Sequence, residues 1–295
     1  MQKHIFWSLT VALGGFLFGF DTAVISGAEQ PIQRLWALDE WSHGLAMAMA
    51  LYGTVIGAML GGLPADRYGR KRTLFWIGLF YLLSAMGSAL APELYSFMFF
   101  RFLGGLGVGA SSVVAPMYIS EIAPAGSRGR LVALFQFNIV LGILIAYVSN
   151  YFLAGLGESA WRWMLGVEGI PALAFSLLVL TVPRSPRWLY LHQRDETAAR
   201  EVIARIDPAA VDTRMDALRD YQAGQASTKV SMGIFFSRAF RLPILLAFFF
   251  AFFNQVSGIN AIIYYAPRIF KVTGLAVDNA LLSTSFLGLF NLIFT

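Results

Sequence analysis

Cysteine is absent from the 295-residue chain, which excludes disulfides and thiolate metal sites. Histidine is scarce at 3 copies, too few to build a histidine-held metal centre on. Charge is scarce as well. Asp, Glu, Lys and Arg make up 13% of the residues, about half of the ~25% usual in soluble domains, while 57% are hydrophobic. That deficit points to a membrane protein, and the chain's long apolar runs make the expected fold class all-α. No nucleophile–base pair, metal cluster or phosphate-binding loop stands out, so an enzyme is not expected. Nor is a cleavable leader: the start runs into an apolar segment of about 20 residues, longer than a leader's core, with no small-residue cleavage pattern before Asp21.

What the chain does have is long apolar runs. A helix needs about 20 apolar residues to cross the hydrocarbon core. Eight runs qualify, at 5–27, 43–65, 73–91, 95–119, 131–153, 161–182, 241–265 and 278–295. Short loops join the first six. A polar stretch, 183–240, follows, in which Val202, Ile203 and Ile206 give a weakly amphipathic helix ended by Pro208, with a second short helix over 209–221. The expected domains are therefore a six-helix bundle (1–182), a linker with short helices (183–240) and a further pair of spans (241–295).

With the N-terminus inside, seventeen of the 22 Lys and Arg fall on cytoplasmic segments, four on outer ones, and Arg101 within a span. The positive-inside rule therefore fixes the orientation, with a cytoplasmic N-terminus; a multi-pass protein of the plasma (inner) membrane, surrounded by lipid, is expected. The net charge of +5 is accounted for by topology, and nucleic acid is not an expected partner.

Gly53, Gly57 and Gly61 recur every four residues, as do Gly15/Gly19 and Gly105/Gly109. Such small faces let membrane helices approach closely. The run Gly104–Gly109 superficially resembles a dinucleotide loop, but it lies within a span with no strand before it.

Three charged residues lie well inside spans: Asp21, Arg101 and Glu168. Each sits about seven residues from the outer end of its run, roughly 10 Å deep at 1.5 Å per residue. Charges at that depth are costly and usually functional. One arginine answers one carboxylate, which leaves the other as a candidate to take up a proton. A static Asp21–Arg101 pair that only fixes packing is the competing reading, and the extra carboxylate of Glu168 argues against it.

The segment DRYGRKR (Asp66–Arg72) resembles the loop signature of the major facilitator superfamily. RFLGGLGVGASSVVAPMYISEIAPAGSRGRL, VPRSPRWL and NQVSGINAIIYYAPRIF are similar to the sugar porter family within it, in pattern nearest to bacterial xylose/proton-type symporters. The resemblance covers essentially the whole chain. It implies the major facilitator fold: an N-terminal six-helix bundle, cytoplasmic linker helices, and the first two helices of a C-terminal bundle. On that reading the chain stops within the eighth helix, and the C-terminal remainder is needed for transport.

By position, the resemblance implies sugar contacts from Phe18, Gln136, Asn254, Gln255, Asn260, Tyr264 and Asn291, with the helix free to unwind at Ser257–Gly258. Amides suit hydroxyls because they both donate and accept. Asp66, Arg67, Arg70, Glu121, Arg128 and Arg187 match a cytoplasmic gate of ion pairs. Arg184 departs from the family's usual Glu, and Asn254 from its usual Gln. Asp21 and Glu168 match carboxylates of proton-coupled members. The expected function is a proton-coupled symporter of a monosaccharide, pentose or hexose, working by alternating access. No cofactor is expected beyond the proton as coupling ion. A passive facilitator, a non-transporting sugar sensor or a truncated fragment are the alternatives.

Overall fold

The computed structural model describes residues 3–227 and 237–295, and the described residues form helices and connections with no strand. The part of the linker at 228–236, including Lys229 of its basic residues, lies outside the described residues. Four long helices come first, with a short one among them: α1 (Lys3–Leu35), α2 (Glu40–Leu60), α3 (Gly62–Tyr68), α4 (Arg70–Leu90) and α5 (Leu94–Ile122). Asp39 caps α2, its Oδ1 accepting from the Ser42 amide at 3.2 Å. The second apolar run ends early, at Leu60 rather than 65, because Pro64 has no N–H for the Leu60 carbonyl.

α6 (Arg128–Leu153) turns back through 154–159 into α7 (Ala160–Gly166) and α8 (Gly169–Val179). The 55 residues from Ala125 to Val179 thus serve as two spans. The sixth run was expected to be one helix, but it breaks at Val167–Glu168. Pro171 cannot donate to the Val167 carbonyl, and the Ile170 amide takes it instead, at 3.1 Å.

The linker forms α9 (Pro186–Trp188), α10 (Glu196–Ile206) and α11 (Val211–Ser227). Ser185 caps α9 and Asp195 caps α10. The expected apolar face of α10 is buried: Val202, Ile203 and Ile206 join Ala199 and Met215 in one core with Trp7, Val11, Tyr118 and Ile119 of the bundle. The seventh run is discontinuous. α12 (Arg238–Val256) stops at Ser257–Gly258 and α13 (Ile259–Val272) restarts beyond it. Gly258 has φ 76°, a conformation only glycine adopts without strain. α14 (Val277–Ile293) is the eighth run, and its 17 residues span about 25 Å.

α1 packs along α6, α2 along α5, α4 against α5 and α8, while α13 docks on α1 and α14 on α6. The repeated glycines set these crossings. A Cβ on Gly15 or Gly19 would overlap the carbonyl oxygen of Phe135 or Ile139 in α6. On Gly53, Gly57, Gly105 or Gly109 it would overlap backbone across the α2–α5 contact, and on Gly61 the Ala110 Cα. The helices meet backbone to backbone, as the four-residue spacing predicts.

Candidate functional site

Asp21 on α1 and Arg101 on α5 are 1% and 2% exposed. Arg101 Nη1 donates to Asp21 Oδ1 at 2.6 Å, and Nη2 donates to the Asp21 backbone carbonyl at 3.1 Å. The guanidinium thus grips both the side chain and the backbone of α1. Gly104, on the same face of α5, makes the room. A Cβ there would meet Ser84 Oγ and stand 3.5 Å from Asp21 Oδ1.

Glu168 occupies the break between α7 and α8 and is 1% exposed. Its carboxyl lies within electrostatic reach of both Asp21 and Arg101. The three charges that share a depth in the sequence are one cluster in the fold. Around them, Glu168 Oε1 and the Ser84 hydroxyl are buried without a hydrogen-bond partner among the described residues, while the buried Tyr81 and Ser111 hydroxyls face each other. Each unpartnered group costs about 1–3 kcal/mol. Two acids share one base here, so the cluster has one carboxyl more than its guanidinium can answer.

Tyr264 of α13 reaches the same place. It is 5% exposed and interacts electrostatically with Arg101 and Asp21. The Tyr147 hydroxyl on α6 donates to the neighbouring Ile263 carbonyl at 3.0 Å and fixes α13 against the bundle. Of the other expected sugar contacts, Asn260 Nδ2 donates to Gln255 Oε1 at 2.7 Å across the helix break. Gln136, Asn254, Gln255 and Asn291 are exposed, and Phe18 is half-buried on α1. The Asn254 carbonyl accepts from Ser257 Oγ at 2.5 Å, which helps end α12. A cavity of about 510 Å³ lies elsewhere, lined by Gln30, Arg34, Glu158, Trp161 and Lys271, and holds none of the expected sugar contacts.

At the linker end, Arg70 stands 3.0 Å from Asp66 and 3.1 Å from Glu121. Trp188 Nε1 donates to the Asp66 carbonyl at 2.7 Å, and the Trp188 ring lies against Gly69, whose φ is 92°. Tyr118 Oη donates to the Pro183 carbonyl at 2.8 Å. The linker is thereby fastened to the α3–α4 turn and to α5. Arg67 lies over the Tyr68 ring and Arg187 over that of Tyr221, while Arg128 and Arg187 form no ion pair among the described residues. Arg184, the departure from the family pattern, donates to Gln193 Oε1 at 3.3 Å.

At the opposite end is a cluster that the sequence reading missed. Glu29 on α1 is fully buried, 3.3 Å from His43 Nε2 on α2 and 3.3 Å from Arg268 Nε on α13. Arg268 also donates to Gln33, and Lys271 Nζ to Gln30 Oε1 at 2.7 Å. The signal was present in a carboxylate placed just past the first apolar run, but nothing in the sequence paired it with a residue 239 positions on.

Comparison with known proteins adds four findings. The family description "Sugar (and other) transporter" matches residues 7–295. The D-xylose transporter of Levilactobacillus brevis is 37% identical over 289 residues, covering 96% of this chain and 62% of the relative. The glucose facilitated diffusion protein of Zymomonas mobilis subsp. mobilis is 37% identical over 313 residues, covering 98% and 65%. The chain thus spans less than two thirds of the length of these relatives. Among solved structures, the proton:xylose symporter XylE of E. coli bound to 6-bromo-6-deoxy-D-glucose superposes with a TM-score of 0.88 at 34% identity, over 100% of this chain and 68% of that one.

Proposed function

Because the chain belongs to the sugar transporter family and has the major facilitator fold, we propose that it serves as a proton-coupled monosaccharide symporter of the inner membrane, with its N-terminus and linker in the cytoplasm. The observation that carries the reading is the buried Asp21–Arg101 bond of 2.6 Å with Glu168, one carboxyl too many, beside it. A proton is the coupling ion and no other cofactor takes part.

In the cycle, a proton from outside neutralises Asp21 and weakens its hold on Arg101. Arg101 then turns to Glu168, so the guanidinium is never left unanswered in a dry interior. Sugar engages Gln136 on α6 and the amides at the α12–α13 break, with Asn291 facing it from α14. The break supplies more than side chains: the first amides of α13 have no intrahelical acceptor and are free to meet hydroxyl groups, as at the broken helices of other transporters. Tyr264, one of the expected sugar contacts, interacts electrostatically with Arg101, so occupation of the sugar site is felt at the charge cluster. The Asp66–Arg70–Glu121 group holds the cytoplasmic base, and rocking of the halves exposes the site to either side in turn. Pentose and hexose both fit this chemistry.

A passive facilitator is the second reading, favoured by the identity to the glucose facilitated diffusion protein. Proteoliposome uptake with Asp21→Asn separates the two. Symport predicts loss of pH-driven accumulation with sugar exchange retained. Accumulation undiminished by the substitution sinks the coupling role of Asp21. Absence of accumulation already in the unsubstituted protein favours the facilitator.

A further inference from the structure

At the linker end of the α4–α8 pair stands a group of cations outside both the Asp21 cluster and the Asp66–Arg70–Glu121 group. Lys71, Arg72, Phe75 and Trp76 of α4, with Leu180 and Arg184 beyond the end of α8, line a cavity of about 180 Å³. No carboxylate stands in its wall. Lys71 Nζ donates to the Leu180 carbonyl at 2.7 Å, which ties the two helices together and leaves the ammonium charge unanswered. Arg184 acts on Lys71 electrostatically, cation against cation. Neither of them, nor Arg72, forms an ion pair among the described residues.

Two features call for an anion. The first turn of α4 holds no acid, so the positive end of a 21-residue helix adds to the three cations. Arg184 stands where the resembled family usually has Glu, so the acid expected here is replaced by a base. The surroundings call for a lipid. α4 and α8 lie side by side. Trp76, Leu83 and Leu90 recur every seven residues on α4, Leu173, Leu177 and Leu180 every three or four on α8 and its end, and all six are exposed. Such spacing puts each set on one helix face. Trp76 and Leu180 meet at the cavity. From there the α4 stripe runs about 21 Å, at 1.5 Å per residue. One leaflet's hydrocarbon is ~15 Å deep, half of the ~30 Å core, so the stripe covers it. A tryptophan beside the cavity is at home at headgroup level.

We propose that this cavity seats the phosphate of an anionic phospholipid of the inner leaflet, with Lys71, Arg72 and Arg184 as its ligands and the acyl chains along the α4–α8 stripes. Basic pockets between membrane helices on the cytoplasmic side take such headgroups. Guanidinium forks match phosphate oxygens with charge-assisted hydrogen bonds. The volume falls below the ~300–1,000 Å³ of pockets that enclose a small molecule. A phosphate enters, and the rest of the lipid stays outside on the apolar stripes. A zwitterionic lipid is a poor match, because its ammonium meets three cations and no carboxylate. Bound there, the anionic lipid bridges α4 and the segment that leads from α8 into the linker. The site rests on the membrane orientation proposed above, which protease access to the linker in sealed vesicles reads separately. It does not rest on proton coupling, since its ligands are remote in the fold from Asp21, Arg101 and Glu168.

Native mass spectrometry of the protein in detergent micelles tests this, with phosphatidylglycerol, phosphatidylethanolamine and phosphatidylcholine titrated in turn. A saturable phosphatidylglycerol adduct is expected, with the two zwitterionic lipids bound about tenfold more weakly or worse. Arg184 and Arg72 are exposed, so substitutions there leave the packing intact. Each surface cation contributes about 1 kcal/mol toward an anionic headgroup, so Arg184→Gln and Arg72→Gln should each weaken the adduct about fivefold. Arg184→Glu changes two charges and should weaken it about 25-fold. Arg130→Gln removes an exposed cation at the start of α6, outside the cavity, and should leave binding unchanged. Glycerol 3-phosphate, the headgroup end without chains, should not displace the lipid at equal concentration. Equal binding of all three lipids, displacement by glycerol 3-phosphate, an equal loss in Arg130→Gln, or binding undiminished in both Arg184→Glu and Arg72→Gln overturns the proposal.

Discussion

α1 and α12 are both apolar helices of membrane-crossing length, yet their surroundings are opposite. In an apolar stretch of α1, 72% of the residues are buried, whereas in that of the α12–α13 segment none are. α1 is wrapped by α5, α6, α7 and α13, while α12 touches little beyond α13. The phenylalanines of α12 mainly stack on one another, Phe248 on Phe252 at 5.9 Å and Phe249 on Phe253 at 6.0 Å, and stay largely exposed. Hydropathy alone cannot tell these helices apart. What separates them is glycine and polar residues: α1 carries Gly15, Gly19 and Asp21, which demand particular neighbours, and α12 has neither a glycine nor a polar side chain from Leu242 to Phe253.

The largest test of this contrast is Arg101→Leu. It strands Asp21 and Glu168 in a dry interior and should cost about 3–5 kcal/mol in a thermal or denaturant melt. The same substitution in an Asp21→Asn, Glu168→Gln background should cost far less, and an equal loss there would show that packing rather than charge is at stake. Gly105→Leu comes next. It drives a side chain into the Ala50 carbonyl, with an expected loss of about 1–3 kcal/mol or more, seen as a falling yield of monodisperse protein. Phe250→Ala on α12 should change stability by no more than ~0.5 kcal/mol, and a larger loss would mean that α12 is packed after all.

The smallest effect concerns the linker. Hydrogen bonds from Arg200 and then Arg219 hold the exposed Glu196 carboxyl below its usual range. A carboxyl lowered in the folded state stabilises it above the unfolded value of about 4.3, and that contribution disappears as pH falls through the folded value. Proteolysis between α10 and α11 should therefore accelerate only in acid below about pH 4, and Glu196→Gln should flatten that rise.

Most of the architecture was readable because membrane insertion writes it into composition. Apolar runs marked the spans, and four-residue glycine spacing marked the α1–α6 and α2–α5 contacts. Equal depth brought Asp21, Arg101 and Glu168 together, and Ser257–Gly258 marked the broken helix. The prolines were underread. Pro64 ends α2 early and Pro171 breaks the sixth run, so Glu168 sits at a kink rather than on a regular helix. The Glu29–His43–Arg268 cluster stayed hidden for another reason. It joins residues far apart in the chain whose only local sign is an ordinary charge near a helix end. Such pairings depend on how the helices are turned against each other, and hydropathy carries no record of rotation.

The glycine contacts between α2 and α5 have a mechanical side. Helices that meet through side chains can slide, because the layer between them has alternative packings. Here backbone lies on backbone, with Gly53 and Gly57 against Phe102 and Leu106 and Gly105 against Ala50, and no such layer exists. The pair has the stiffness of a single rod. A displacement imposed on α2 at the membrane surface is carried to α5, and with it to Arg101, without being absorbed along the way.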